Sequence, residues 1–161
     1  MNIFVLSDNV KEVAEWHLDK HCVKMPLESA QMLCTALHIH GGQNIPYKPA
    51  HVKHPCTLWT AQSRANFQWL CDLGYALCDE YTYRYGKVHA TDTLLREKLK
   101  QLPRNIEVGP LTQQPLAMKA NPECMHPNDP VRSYREFYQT KQGRFKMAWT
   151  KREVPEWFTV K

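Results

Sequence analysis

Residues 9–37, NVKEVAEWHLDKHCVKMPLESAQMLCTAL, decide the fold class. Asn9 followed three residues later by Glu12 has the form of a capping box, and apolar residues then recur at helical spacing as far as about Leu37. The spacing predicts one long helix from Val10, kinked where Pro26 lacks a backbone donor and ended by Gly41 and Gly42.

Outward from this helix the chain alternates helices with proline-rich connections. The segment QNIPYKPAHVKHP is a loop, and a second long helix is expected from about Thr57 to Tyr85, closed by Gly86. Thr91 or Asp92 caps a shorter amphipathic helix over LLREKLKQL. Residues 103–130 contain six prolines and little periodicity, which suits a wrap-around loop, with disorder as the alternative. Asp129 and Pro130 form an N-cap and first-turn pair for a helix through VRSYREFYQTK. The opening NIFVL is either a short strand or an apolar lead-in. These elements predict a mainly α, single compact domain over residues 1–161, with two long helices, proline-rich loops and a basic, aromatic C-terminal segment.

Composition narrows the function classes. The 161 residues are 43% hydrophobic and 23% charged, with no apolar run near the ~20 residues a membrane span requires, so no membrane partner is expected. The start MNIFVLSDN lacks a basic flank and a long apolar stretch, which makes the cytoplasm the expected compartment, that of a host cell if the chain is phage-encoded. Cys22, Cys34, Cys71 and Cys78 fall within apolar helical patterns and suit reduced core positions. The net charge of +5 is matched by the tail from residue 131 alone, where Arg132, Arg135, Lys141, Arg144, Lys146, Lys151, Arg152 and Lys161 face only Glu136, Glu153 and Glu156. Tyr134, Phe137, Tyr138, Phe145, Trp149, Trp157 and Phe158 interleave with these cations. Such a mixture suits phosphate contacts and base stacking, while the helical spacing of Tyr134, Phe137 and Tyr138 equally suits packing on the long helices.

On the first helix, His17, His21, Lys24, Glu28 and Gln31 fall on one narrow stripe at about 100° per residue, with Lys20 beside it. Apolar residues occupy both flanks, so the stripe is expected to be buried or to line a cleft, where unpaired ionisable groups are costly. On the second helix, Asn66 and Arg84 border the apolar face and are placed to complete a pocket, with a plain Glu80–Arg84 ion pair as the competing role. His51 and His54 are assigned to a loop closing over the stripe. Cys124 and His126 lack a paired metal-binding spacing.

The pattern HLDKHCVKM, HPCTLW, CDEYTYRYGK and REVPEWF resembles a group of small phage-encoded proteins of unassigned function, over nearly the whole chain. More distantly, AEWHLDKHCVKMPL, the spacing from His54 to Trp59, Arg84 with Gly86, and SYREFYQTK resemble the pyrimidine-dimer DNA glycosylases of the endonuclease V type. That resemblance implies an all-α fold and work on damaged or unusual bases in DNA. Two departures stand against direct transfer of its chemistry. The family exposes an α-amine by removing the initiator Met, whereas Met1 here precedes the large Asn2, and the position of the family's glutamate, two residues before Pro26, is Lys24.

In place of that pair, Lys24 or Lys20 is expected to act as an amine nucleophile, with His17, His21 and Glu28 as acid and base. Lys20, Gln31, His51, His54, Asn66, Arg84, Arg132, Tyr134, Arg135 and Tyr138 are the expected substrate-binding residues. The predicted function is a DNA- or nucleotide-processing enzyme acting on a pyrimidine base or its glycosidic bond, without a cofactor, the base being flipped from the stack if the substrate is DNA. The alternatives are a metal-dependent nuclease or phosphohydrolase built on His17 and His21, which Lys24 opposes, and a non-catalytic nucleic-acid or host-factor binding protein.

Overall fold

The computed structural model describes residues 1–99 and 105–161. Five α-helices carry the fold: α1 (Val10–Trp16), α2 (Asp19–Ile39), α3 (Pro55–Gln62), α4 (Arg64–Tyr85) and α5 (Pro130–Thr140). Among the described residues there is no strand, so the mainly α class holds. The opening Asn2–Leu6 is an irregular apolar lead-in, and Ile3, Phe4, Val5 and Leu6 are all buried.

Each predicted long helix is two helices. The first breaks at His17 and Leu18, both in extended backbone, and not at Pro26, which lies inside α2 without ending it. Tertiary partners account for the break. The Leu18 amide donates to the Tyr138 hydroxyl (3.3 Å), the Asp19 amide donates to the Ala148 carbonyl (2.8 Å), and the His17 ring takes the Val13 carbonyl (2.7 Å). The amides that would extend α1 are therefore satisfied from α5 and the C-terminal tail. The second helix breaks at Ser63, whose hydroxyl caps α4 by accepting from the Asn66 amide (3.1 Å) and donates to the Pro110 carbonyl (2.9 Å). Gly86 closes α4 in the left-handed region at φ 66°, a backbone most cheaply adopted without a Cβ.

Helix α2 packs against α3 and α4, and α1 packs on α4. Leu94–Lys98 forms a π-helical turn whose Leu95 seats against Gly74 of α4, where an added Cβ would stand 3.3 Å from the leucine methyls. Of the amphipathic helix and the loop expected nearby, residues 100–104 lie outside the described residues. From residue 105 the proline-rich segment wraps the body. Its Thr112 carbonyl accepts from the Trp59 indole (3.3 Å), and its Ala117 carbonyl accepts from the Asn2 amide group (3.0 Å). The tail returns across α1, with Trp149 donating to the Trp16 carbonyl (2.8 Å). All six cysteines are free and buried. No helix among the described residues is long and apolar enough to cross a membrane.

Candidate functional site

A cleft of about 270 Å³ opens where α2, the N-terminal lead-in and the end of α5 meet. Helix α2 supplies His21, Lys24 and Glu28, the lead-in supplies Phe4, α5 supplies Phe137, and Lys141 caps the C-terminal end of α5. Arg144 and Phe145, in the turn after α5, close its rim. Three expected stripe residues therefore share one cleft, but their partners come from α5 and not from α4.

His21 forms one wall. Its ring stacks on Phe4 (centroids 4.2 Å, 11° between planes), and its Nδ1 lies 2.7 Å from the Tyr138 hydroxyl. That hydroxyl is fully buried and accepts from the Leu18 amide, so its own proton goes to His21 Nδ1. The donor–acceptor balance thus assigns the imidazole proton to Nε2. Burial first, then the charges of His17, Lys141 and Lys24, push the His21 pKa down to about 2. His17 lies behind the cleft, 1% exposed and edge-on to Phe4. Its Nδ1 donates to Val13, its Nε2 is buried with no partner, and burial brings its pKa down to about 4. Both imidazoles are neutral near pH 7. His17 lies behind the cleft and outside its lining, and His21 stands in the wall as a neutral hydrogen-bond donor.

The amine environment expected at Lys24 occurs at Lys141. The Lys24 side chain is 67% exposed and its Nζ lies 3.4 Å from Glu28, whose same oxygen is 3.8 Å from the Met1 amine. Lys20 is also exposed, with its Nζ 4.7 Å above Phe145. Lys141 is 7% exposed. Its Nζ lies 4.4 Å from the Phe137 ring centre and 5.1 Å from that of Phe4, with no carboxylate in salt-bridge range among the described residues. Burial foremost, with repulsion from Arg144 and Lys24, lowers its pKa to about 8. The sequence carried a usable signal: Tyr134, Tyr138 and Lys141 stand at i, i+4 and i+7 along α5, which places the lysine on the buried face.

The remaining expected site residues are placed elsewhere or serve the fold. Asn66 bonds the Trp59 carbonyl and both the amide and hydroxyl of Thr112, tying the wrapping loop to α4. Arg84, 2% exposed, bonds Glu80 (2.8 Å), Asp19 (3.0 Å) and the Glu15 carbonyl (2.9 Å), so it joins α1, α2 and α4. Tyr134 and Tyr138 are core residues. The Tyr134 hydroxyl meets Asn2, Pro115 and Ala117. Arg132 pairs with Glu136. Arg135 donates to the Leu6 carbonyl (2.9 Å), its guanidinium 5.1 Å from the Trp16 ring centre and 5.4 Å from that of Trp157. Gln31 is half-buried on α2, outside the cleft lining. His54 caps α3 by accepting from the Cys56 amide (3.1 Å), and burial with the nearby N-terminal ammonium and His51 lowers its pKa. His51 is exposed in left-handed backbone at φ 49°.

The tail aromatics expected to stack bases are mostly consumed by packing: Trp149 and Phe158 are buried, and Trp157 meets Trp16, Tyr138 and Phe158. A larger hollow of about 670 Å³ adjoins Trp16, Arg135, Arg152 and Trp157, but Arg152 is already paired with Glu80 and Glu15. Among the described residues no three His, Cys, Asp or Glu side chains converge as a metal-ligand set, and His17 and His21 each direct Nδ1 at a protein oxygen. The cleft between α2 and α5 therefore brings together a buried amine without an ion pair, the cations Lys24 and Arg144, a carboxylate paired with Lys24 and the Met1 amine, and an imidazole N–H. No protein-family model, curated protein or solved structure matches this chain.

Proposed function

We propose that the chain binds a phosphate-bearing pyrimidine nucleotide, within DNA or free, in the cleft between α2 and α5 and acts at the base or its glycosidic bond. The observation that carries this reading is the convergence of Lys24, Lys141 and Arg144 on one small cleft with Glu28 as its only carboxylate. Each of these cations repels the next, and an anion bound between them relieves that repulsion. The half-buried rings of Phe137 and Phe145 border the same space and offer faces to a base. A flipped nucleotide presents the combination of phosphate and flat ring that such a lining complements. His21 Nε2–H adds a neutral donor for a carbonyl or sugar oxygen.

The test is fluorescence anisotropy with labelled oligonucleotides, intact and carrying an abasic site, beside calorimetry with thymidine 5′-monophosphate. Binding should weaken as salt rises, with a log–log slope of about −2 to −3 for contacts to two or three phosphates. Arg144→Glu should lower affinity about tenfold or more, whereas Arg132→Glu, already engaged with Glu136, should change it little. Absence of binding to every probe at low salt would remove the reading. Tight binding without conversion of any base or sugar would leave a non-catalytic nucleic-acid binder.

A further inference from the structure

We propose that the cleft selects the terminal phosphomonoester of a nucleotide, a dianion seated between Lys141 and Arg144, over the singly charged phosphodiester inside a strand. The assignment rests on the nucleotide reading above and names the kind of phosphate the site takes. Charge matching favours it. Glu28 lies 3.4 Å from Lys24 Nζ and 3.8 Å from the Met1 amine, so the one carboxylate of the cleft already has its cations. Lys141 and Arg144 line the same space with no carboxylate in salt-bridge range among the described residues. Two unmatched positive charges balance a dianion, whereas a diester leaves one of them uncompensated beside a buried wall. Shape favours it as well. The Lys141 amide donates to the Tyr138 and Gln139 carbonyls, which fixes its backbone to the end of α5, and its buried Nζ lies 4.4 Å from the Phe137 ring centre and 5.1 Å from that of Phe4. A phosphate that reaches this amine sits deep between α2 and α5. An internal phosphodiester carries a further nucleotide on each ester oxygen, and about 270 Å³ lies below the span of about 300–1,000 Å³ that encloses a drug-sized ligand. The cleft has room for one nucleotide and its terminal phosphate, not for a strand running through.

Lys141 also ties binding to pH. The charged and titratable groups around its Nζ come from every neighbouring element. Helix α2 brings His21, Lys24 and Glu28, with Lys20 over Phe145, the lead-in brings the Met1 amine with His54 near it, and the turn after α5 brings Arg144. In the free cleft, burial and then repulsion from Arg144 and Lys24 hold the Lys141 pKa at about 8. A dianion beside Nζ offsets that repulsion and raises the pKa, so binding draws a proton onto Lys141 wherever the free amine is partly neutral. The contribution of Lys141 is therefore full below pH 8 and is lost as pH rises from there toward the value in the complex. The ligand sets the opposite limb. A phosphomonoester takes up its second proton near pH 6 and is singly charged below it, a step that a diester lacks. His21, with its pKa near 2, adds no charge in this range. Affinity for the monoester then peaks between about pH 6 and pH 8.

The test is calorimetry on the full chain with thymidine 5′-monophosphate, its 5′-methyl ester, thymidine and inorganic phosphate. Anisotropy with a single-stranded oligonucleotide bearing a 5′-phosphate or a 5′-hydroxyl distinguishes a strand end from a free nucleotide. At pH 7 and low salt the monophosphate should bind about tenfold or more tightly than the methyl ester, and thymidine weakest. Discrimination between the two oligonucleotides supports the site and extends it to strand ends. Discrimination among the mononucleotides alone supports it and confines the ligand to free nucleotides. Binding at pH 8 should take up about half a proton, read from the dependence of the heat on buffer, and affinity should fall several-fold by pH 9. Lys141→Met should lower affinity about tenfold or more and remove the alkaline limb, while Arg132→Ala changes neither. Equal affinity for the monophosphate and its methyl ester overturns the phosphomonoester assignment and leaves the nucleotide reading standing. Inorganic phosphate binding as tightly as the monophosphate retains the dianion seat and overturns the nucleotide reading. An alkaline limb that persists in Lys141→Met overturns the role of Lys141, and no binding by any probe overturns both readings.

Discussion

A buried lysine without a carboxylate is a liability to the fold, and at Lys141 the liability is measurable. Its lowered pKa means that the unfolded chain binds more protons than the folded one between about pH 8 and the ordinary lysine value near 10.4, so its destabilising effect is full below pH 8 and fades as pH rises through that window. Lys141→Met keeps the length of the side chain, keeps contact with Phe4 and Phe137, and removes the charge. The substitution should raise stability at pH 7 by about 1–3 kcal/mol in urea unfolding, the lower end reflecting the lost attraction to the two rings. Its advantage over wild type should shrink between pH 8 and 10. A destabilised variant, or a gain independent of pH, would show that the ammonium is well accommodated.

At the scale of elements, the breaks between helices govern which residues meet. The cap at Asn9 was legible, since its side chain accepts from the Lys11 and Glu12 amides, but Glu12 reaches Ser7 and not the Asn9 amide. The same holds for Asp129 with Pro130 and for Gly86, each a local rule obeyed locally. The breaks at His17 and Ser63 were not legible, because their causes lie far along the chain: Tyr138 and Ala148 for the first, Pro110 with the Ser63 cap for the second. A wheel drawn across an undetected break puts His17 on the face of His21, and the real fold puts it behind. Pro26 lies inside α2 without ending it. Arg84 shows what the first break requires. Its guanidinium ties Asp19 at the start of α2 and the Glu15 carbonyl in α1 to Glu80 of α4, and Arg152 of the tail joins the same carboxylate. Arg84→Met should therefore cost about 3–5 kcal/mol, because Glu80 is left buried with only the half-exposed Arg152. Pairing the change with Glu80→Gln should recover part of that loss. Equal cost in the single and double variants would mean that the network contributes packing and not charge balance.

Across the whole molecule, two groups of cations serve different duties. Arg84, Arg135 and Arg152 are engaged in holding α1, the lead-in and the tail together, while Lys24, Lys141 and Arg144 face the cleft. Composition alone reported the sum of these and suggested a basic aromatic tail as the binding surface. The partition appears only when the tail's rings are seen inside the fold. Titration should reveal the buried half of the arrangement as well. His17, His21 and His54 all have pKa values lowered chiefly by burial, to about 4 and about 2 for the first two. The folded state then binds fewer protons than the unfolded state below the ordinary histidine value near 6.5, so stability rises with pH through this window and is lost as pH falls. The loss from His17 saturates near pH 4, and that from His21 continues lower. Between about pH 4.5 and 6 most carboxylates remain ionised, so the histidines dominate the slope there. Each fully displaced histidine contributes up to about 1.4 kcal/mol per pH unit. Urea unfolding across pH 4.5–7.5 should show this slope, and His17→Gln, which cannot titrate, should reduce it by one proton's worth. A stability curve flat over that range, or one unchanged by the substitution, would mean that His17 takes up a proton while folded and that the packing around Phe4 opens to admit it.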